Sequence, residues 1–524
     1  MNTTHFNRTI IRFGLTLVLL LSVTLLALST VRATGRPQLL PVGDWEHLII
    51  TSDELAKSFI PLRDQRDSQG LTSRIVTLEE IAAWSSPLAN QREAIREFLT
   101  SAQTEWNTRY VLLGGDESVI RAPLSKYVYG GDQAYIFPVD IYYVCPDGEW
   151  DVDEDGYLGE PQDDLPDLIS SAVIGRVPVT DIQQVAAFVA KTIAFETAVP
   201  EAPEGVLLAG TVVAPYPWFP GDPVHLDGAE ILEQLAELVT AADPDRPIGR
   251  LYQNPAAHPA AEPLNPDTLV ETLLTGDYRW LAFTGHGEAE TWELSTALYL
   301  HAEGVAPLAD SPRPAFVEAL CWGPADYLAD GIMERMVMLP TGGCAGALGS
   351  SGITFIAPYG MFRNLFWAQT VNGEGARWGD AILAARLAYI DQYGQDGFGA
   401  LTLMTVTLLG DPALLIDAAT ARQPVRQPVV LLSDAQASPN PFNPNTTVSF
   451  SVGDGSRLIP VSLKIYDLAG RLVTTLLDGD LRAGRVSIVW QGTDDNGSSV
   501  GSGMYLAQIY TPTEATNLKL ILVE

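Results

Sequence analysis

Two residues in this chain have the types and the placement to do chemistry together. His286 stands in Gly285-His286-Gly287, directly after the apolar run Trp280–Thr284, and Cys321 stands directly after the apolar run Ala315–Leu320. An imidazole exchanges a proton near neutral pH and a thiolate is a strong nucleophile, so the pair can serve as general base and nucleophile in acyl transfer. Of the six histidines, His286 alone is flanked by glycine on both sides. Those glycines admit a close backbone approach, and the amide of Gly287 is available to a developing oxyanion. Each residue alone has a plainer reading: a thiol after an apolar run is ordinarily an inert core residue, and a histidine beside glycine is ordinarily part of a turn. The joint placement, 35 positions apart at two strand-like ends, favours catalysis.

The elements that must carry these residues follow from the hydrophobic pattern. Short apolar runs closed by glycine read as buried parallel strands, and in open α/β sheets reactive groups sit just beyond the carboxyl ends of such strands. Strands are expected at 45–52, Leu71–Leu78, Arg109–Leu113, Ser170–Ile174, Val206–Val213 and Arg250–Tyr252. They alternate with helical spacing at Asp53–Gln69, Gln91–Trp106, Asp181–Glu196 and Asp227–Ala241. After Cys321 come a helix at Gly331–Met338, a glycine-rich strand and turn at Gly342–Gly352, and a helix at Gly379–Tyr393. This alternation predicts βαβ units and a parallel sheet. Cys344 lies within the glycine-rich strand and reads as buried filler. The Gly-Ser-Ser-Gly at 349–352 lacks the spacing of a nucleophile elbow, which speaks against a serine hydrolase.

Composition narrows the partners. The net charge of −33 opposes binding to nucleic acid or to an anionic membrane surface. Three cysteines, Cys145, Cys321 and Cys344, leave at least one thiol free and cannot build a disulfide framework. Within the acidic stretch 147–167, Asp151, Asp153 and Asp155 followed by Gly156 match the first half of a calcium loop, in which alternate carboxylates on a tight turn converge on a hard cation. The twelfth position is Gln162 rather than glutamate, so the complete EF-hand pattern is not met. The alternative is a solvated acidic loop. At the N-terminus, Arg8 and Arg12, the apolar stretch Phe13–Leu28 and the small residues before Ala33 have the layout of a secretory signal peptide over 1–33. Export is therefore expected.

The blocks LAFTGHG and FVEALCWGPAD resemble the gingipain family of cysteine peptidases, relatives of caspases and legumain. The resemblance extends to YVLLGGDESVI (110–120), PDLISSAVIGRVPV (166–179), GGCAGALGSSG (342–352) and LLGDPALLI (408–416). It implies a caspase-like α/β fold with a gingipain-like N-terminal subdomain over 34–200 and a catalytic subdomain over 201–417. It also implies hydrolysis of protein or peptide substrates, with Cys321 as nucleophile, His286 as proton carrier, and the amides of Gly287 and Cys321 as the oxyanion site. An acidic residue ahead of the strand at 170–174 would orient the histidine; Asp167 holds the matching position, with Glu160 as the alternative. No redox or nucleotide cofactor is implied, and calcium would be structural. Leu320 departs from the usual small residue before the nucleophile. The competing reading is a non-catalytic surface binding protein that keeps the peptidase fold.

Residues 418–437 shift towards Ala, Gln and Pro and read as a linker. From 438 to 524 short alternating runs with turns between them predict an immunoglobulin-like β-sandwich. Its segments SPNPFNPNTTVSF, KIYDLAGRLV, WQGTDDNG and GSGMYL resemble the C-terminal sorting domain of proteins exported by the type IX secretion system. That resemblance implies an export-machinery partner and a secreted or outer-membrane cell-surface location. A plain adhesive or spacer module is the alternative.

Overall fold

The computed structural model describes residue 40 and residues 43–523, apart from 86–89, 132, 198–203, 276, 372–376, 396, 417–431, 453–458, 468–470, 482–483, 496 and 512–513. The expected signal peptide at 1–33 lies outside the described residues. Two compact units divide between residues 422 and 423.

The first unit is built on strands β1 (His47–Thr51), β2 (Ser73–Thr77), β3 (Tyr110–Gly114), β4 (Leu124–Tyr129), β5 (Gln133–Pro138), β6 (Val173–Val177), β7 (Gly205–Gly210), β8 (Ile248–Tyr252) and β9 (Glu262–Pro263). They are followed by β10 (Tyr278–Thr284), β11 (His286–Glu288), β12 (Thr291–Ser295), β13 (Leu298–His301), β14 (Ala315–Leu320), β15 (Cys344–Ser350) and β16 (Val406–Gly410). Eleven of them form one sheet in the order β9-β8-β7-β10-β14-β15-β16-β6-β3-β1-β2. Neighbours run parallel except at β15 and β16, so the two halves of the sheet point in opposite directions. The α/β expectation holds. Strands from both expected subdomains, 34–200 and 201–417, share this sheet, because β16, from late in the chain, lies beside β6.

The sheet is covered on both faces, which is why its central strands are nearly continuous apolar runs. Along β10, Trp280 and Ala282 enter one core while Leu281 and Phe283 enter the other. Helices α1 (Gln91–Glu105), α2 (Ile182–Thr197), α3 (Gly228–Ala242), α4 (Ile356–Val371), α5 (Trp378–Tyr393) and α6 (Gly397–Thr405) supply much of the covering. Asn90 caps α1 and Asp227 caps α3, each side chain accepting from a first-turn amide. A buried polar network joins the halves: Asp411, just past β16, bonds His47 at 3.2 Å and Arg66 at 2.8 Å, while Arg66 also holds Glu196 at 2.7 Å. Arg66 flanks both carboxylates and keeps the Asp411 carboxyl far below the usual carboxylate range, although burial alone opposes this.

The second unit contains β17 (Leu432–Ser438), β18 (Thr446–Val452), β19 (Ile459–Asp467), β20 (Leu472–Leu481), β21 (Gly484–Trp490), β22 (Gly503–Thr511) and β23 (Glu514–Leu522). They make two antiparallel sheets, β17-β18-β21 and β20-β19-β22-β23. Phe450, Leu463, Ile465, Trp490 and Ile509 are buried in its core, as the alternating runs anticipate. The expected linker 418–437 is too long at its C-terminal end: residues 432–437 belong to β17, which pairs with β18.

Candidate active site

The register of two neighbouring strands brings the candidate pair together. In the parallel β10–β14 pair, Thr284 stands opposite Leu320, and the Gly285 amide continues the ladder to the Leu320 carbonyl at 3.1 Å. His286 and Cys321 therefore leave the same edge of the sheet from adjacent strands. Beyond Gly285 the chain turns into the small hairpin β11–β12–β13, where His286 faces Glu293 and Gly287 faces Trp292. Trp292 is fully buried and stacks on Phe283 at 4.6 Å between centroids, fixing the hairpin to the strand that delivers the histidine.

Gly287 is required by space. A Cβ there would meet the Thr291 carbonyl oxygen at 2.7 Å and Cys321 Sγ at 3.1 Å. Cys321 Sγ thus sits directly against the backbone of the His-Gly segment.

The imidazole is oriented by a main-chain group. His286 Nε2 donates to the Val213 carbonyl at 2.9 Å, which leaves Nδ1 as the basic nitrogen. The ring also packs against Tyr216 at 4.3 Å between centroids, and the Tyr216 hydroxyl donates to Glu293 Oε2 at 2.9 Å. Among the described residues no hydrogen bond links Asp167 to His286. The Asp167 carboxylate instead accepts from the Ile169 amide at 3.0 Å and from the Gln395 side chain at 3.3 Å. Its expected orienting role is therefore taken by Val213, because a carbonyl from the segment after β7 reaches the ring first. Glu160, the alternative, is bound by Lys126 at 3.0 Å.

Cys321 is 2 % exposed, and burial pushes its thiol well above the ordinary value; the Glu318 carboxylate adds to this and Arg363 opposes it. Beneath the pair lies a brace that sequence reasoning missed. Glu318 of β14 and Arg363 of α4 form an ion pair at 2.7 Å, each 1 % exposed. The Arg363 guanidinium also donates to the Phe283 carbonyl at 2.5 Å and to the Thr284 hydroxyl. One buried cation thus ties the strand that carries Cys321 to the strand that carries His286. Its signal was visible: a glutamate inside the apolar run Ala315–Leu320 needs a buried partner.

The other thiols stand apart from this chemistry. Cys145 and Cys344 are buried and unpaired, and burial pushes each up to about 12. Asp116 is a turn residue that accepts from the Ser118 and Val119 amides.

In the acidic loop, ligand atoms of Asp151, Asp153 and Asp155 lie within 4.8 Å of one another, and Gly156 adopts φ +87°, a conformation that favours glycine. The buried Glu160 beside them has one oxygen, Oε2, without a hydrogen-bond partner. This donor set fits a hard divalent cation.

Residues 42–417 match the family model described as Peptidase family C25. The chain belongs to peptidase family C25. It is a cysteine peptidase. Two solved structures share its fold: a complex of the Porphyromonas gingivalis RgpB pro- and mature domains, 16 % identical with TM-score 0.55, covering 91 % of this chain and all of that one; and the Arg-specific cysteine proteinase gingipain R, 16 % identical with TM-score 0.55, covering 94 % of this chain and all of that one. Residues 447–514 match the FlgD Ig-like domain. No curated protein matches the chain.

Proposed function

We propose that this peptidase is a secreted endopeptidase in which Cys321 attacks the scissile carbonyl and His286 carries the proton. Nδ1 of His286 accepts the Sγ proton as the thiol attacks, then delivers it to the leaving amine. The Val213 carbonyl holds the ring through Nε2, and the amides of Gly287 and Cys321 receive the oxyanion. What carries this reading is the β10–β14 register together with the 3.1 Å approach of a Gly287 Cβ to Cys321 Sγ. Cys321→Ala and His286→Ala should each abolish hydrolysis of a mixed peptide pool while leaving the circular dichroism spectrum unchanged. Retained activity in Cys321→Ala, or its loss in a folded Cys344→Ala, would overturn the assignment.

Calcium would be held by Asp151, Asp153 and Asp155 and would serve to fix the loop that contacts β4 through Lys126 and Asp155, 2.6 Å apart. The Ig-like unit would address the chain to a type IX export machinery. Deleting residues 423–524 should then stop surface display and leave hydrolysis per folded molecule unchanged. Surface display of the truncated chain would remove the sorting role.

A further inference from the structure

Immediately after the nucleophile the chain presents an aromatic surface. Trp322 is 39 % exposed, and its Nε1 is anchored on the Thr354 carbonyl at 2.6 Å, so the ring is held rather than free. The β4–β5 hairpin, a separate two-stranded sheet that lies between β3 and β6 in the chain, lays Tyr135 edge-on against Trp322 at 6.0 Å between centroids. Phe355, next to the anchoring Thr354, continues the surface to Tyr129 at 5.5 Å, to Tyr127 at 6.5 Å and to Phe398 at 4.4 Å. Tyr129 and Phe398 remain 43 % and 48 % exposed.

Two observations say what this surface receives. First, it is continuous with the nucleophile: Trp322 follows Cys321 in the chain, and the Gly323 amide is bonded to the Gly352 carbonyl at 2.9 Å, which fixes the loop beneath it. A peptide whose carbonyl carbon lay at Sγ would have the Trp322 end of this surface beside it. Second, the surface is built of rings, and Lys126, the cation on the same hairpin, is already paired with Asp155 and Glu160. A basic substrate side chain needs a buried carboxylate to replace its hydration, whereas an aromatic or branched aliphatic one gains from apolar area and edge-to-face packing. Contiguous exposed rings of this kind are costly to keep on a monomer surface and mark binding sites.

We propose that Tyr127, Tyr129, Tyr135, Trp322, Phe355 and Phe398 form a substrate subsite that selects peptides with an aromatic or bulky aliphatic side chain beside the scissile bond. This rests on the assignment of Cys321 as the nucleophile. The hairpin is preorganised, with the Leu124 carbonyl accepting from the Leu158 amide at 2.8 Å and Lys126 clamped by its two carboxylates, so little ordering is needed on binding.

The test uses the full chain and a set of octapeptides that differ at one position at a time among Phe, Leu, Ala, Arg and Asp. Hydrolysis is measured with the wild type, and binding is measured by calorimetry with Cys321→Ala, so that a latent enzyme still gives an answer. Peptides with Phe or Leu at one position should exceed their Ala and Arg counterparts at least tenfold in kcat/KM or in affinity. Tyr129→Ser and Phe398→Ser, both at exposed positions, should cut that ratio severalfold. A preference for Arg, no side-chain preference, or an unchanged ratio in both variants would overturn the subsite. Hydrolysis that survives in Cys321→Ala would instead overturn the nucleophile.

Discussion

Replacing Arg363 by Met removes the one cation that bridges the two catalytic strands, and its cost can be worked from the contacts. Glu318 would stay 1 % exposed, left with a long 3.5 Å contact to Trp367 Nε1 and the nearby Tyr359 hydroxyl in place of a cation. Stranding a buried charge in this way costs about 3–5 kcal/mol. With an unfolding entropy of roughly 2 cal/mol/K per residue over the segment 42–417, the Tm should fall by about 5 °C. Activity should fall further than stability, because Phe283 and Thr284 lose their anchor and misplacing a reacting group by about 1 Å costs on the order of a hundredfold. Restoring an uncharged interior with Glu318→Leu in the Arg363→Met background should regain most of the Tm without regaining kcat. The measurements are differential scanning calorimetry and peptide hydrolysis on the two singles and the double. The brace has no such role if Arg363→Met melts within 1 °C of wild type, or if the double is no more stable than Arg363→Met.

Three further outcomes follow from other sites. Gly287→Ala drives a Cβ to 2.7 Å from the Thr291 carbonyl oxygen and 3.1 Å from Cys321 Sγ, so kcat/KM should drop about a hundredfold for a stability cost of about 1–3 kcal/mol; a fully active Gly287→Ala would show that the hairpin does not pack on the nucleophile. Glu334 is buried, and burial together with Asp330, Asp116 and Asp326 pushes its carboxyl up to about 8 against the opposing pull of Arg335. Because the native state keeps that proton after the unfolded chain has lost it, wild-type stability falls as pH rises from about 4.5 to about 8, and Glu334→Gln should melt higher at pH 8.5 but not at pH 4; equal gains at both would refute this sign. Calcium at a hundredfold excess over its Kd should add about 2.7 kcal/mol of stability to the wild type and none to Asp153→Ala, and a wild-type Tm indifferent to chelator would exclude the site.

The sequence by itself determined the α/β class, the β-sandwich tail, and which two residues to propose as the reacting pair. Period and composition are local quantities, and both His286 and Cys321 are announced by the apolar runs directly before them. The buried character of Cys344 was legible for the same reason. Tertiary structure alone decided what surrounds the pair. The Val213 carbonyl that orients His286 is a backbone group, and no residue type encodes where a carbonyl will point; Asp167 was the natural expectation because only side chains leave a trace in the sequence. Arg363 meets Glu318, Phe283 and Thr284 from a helix far along the chain, so a buried glutamate signalled that a partner exists without saying which. The single sheet spanning both halves depends on β16 returning beside β6, a pairing with almost no local signature. The rings beside Cys321 come from four separated stretches of chain, and only the fold makes them one surface.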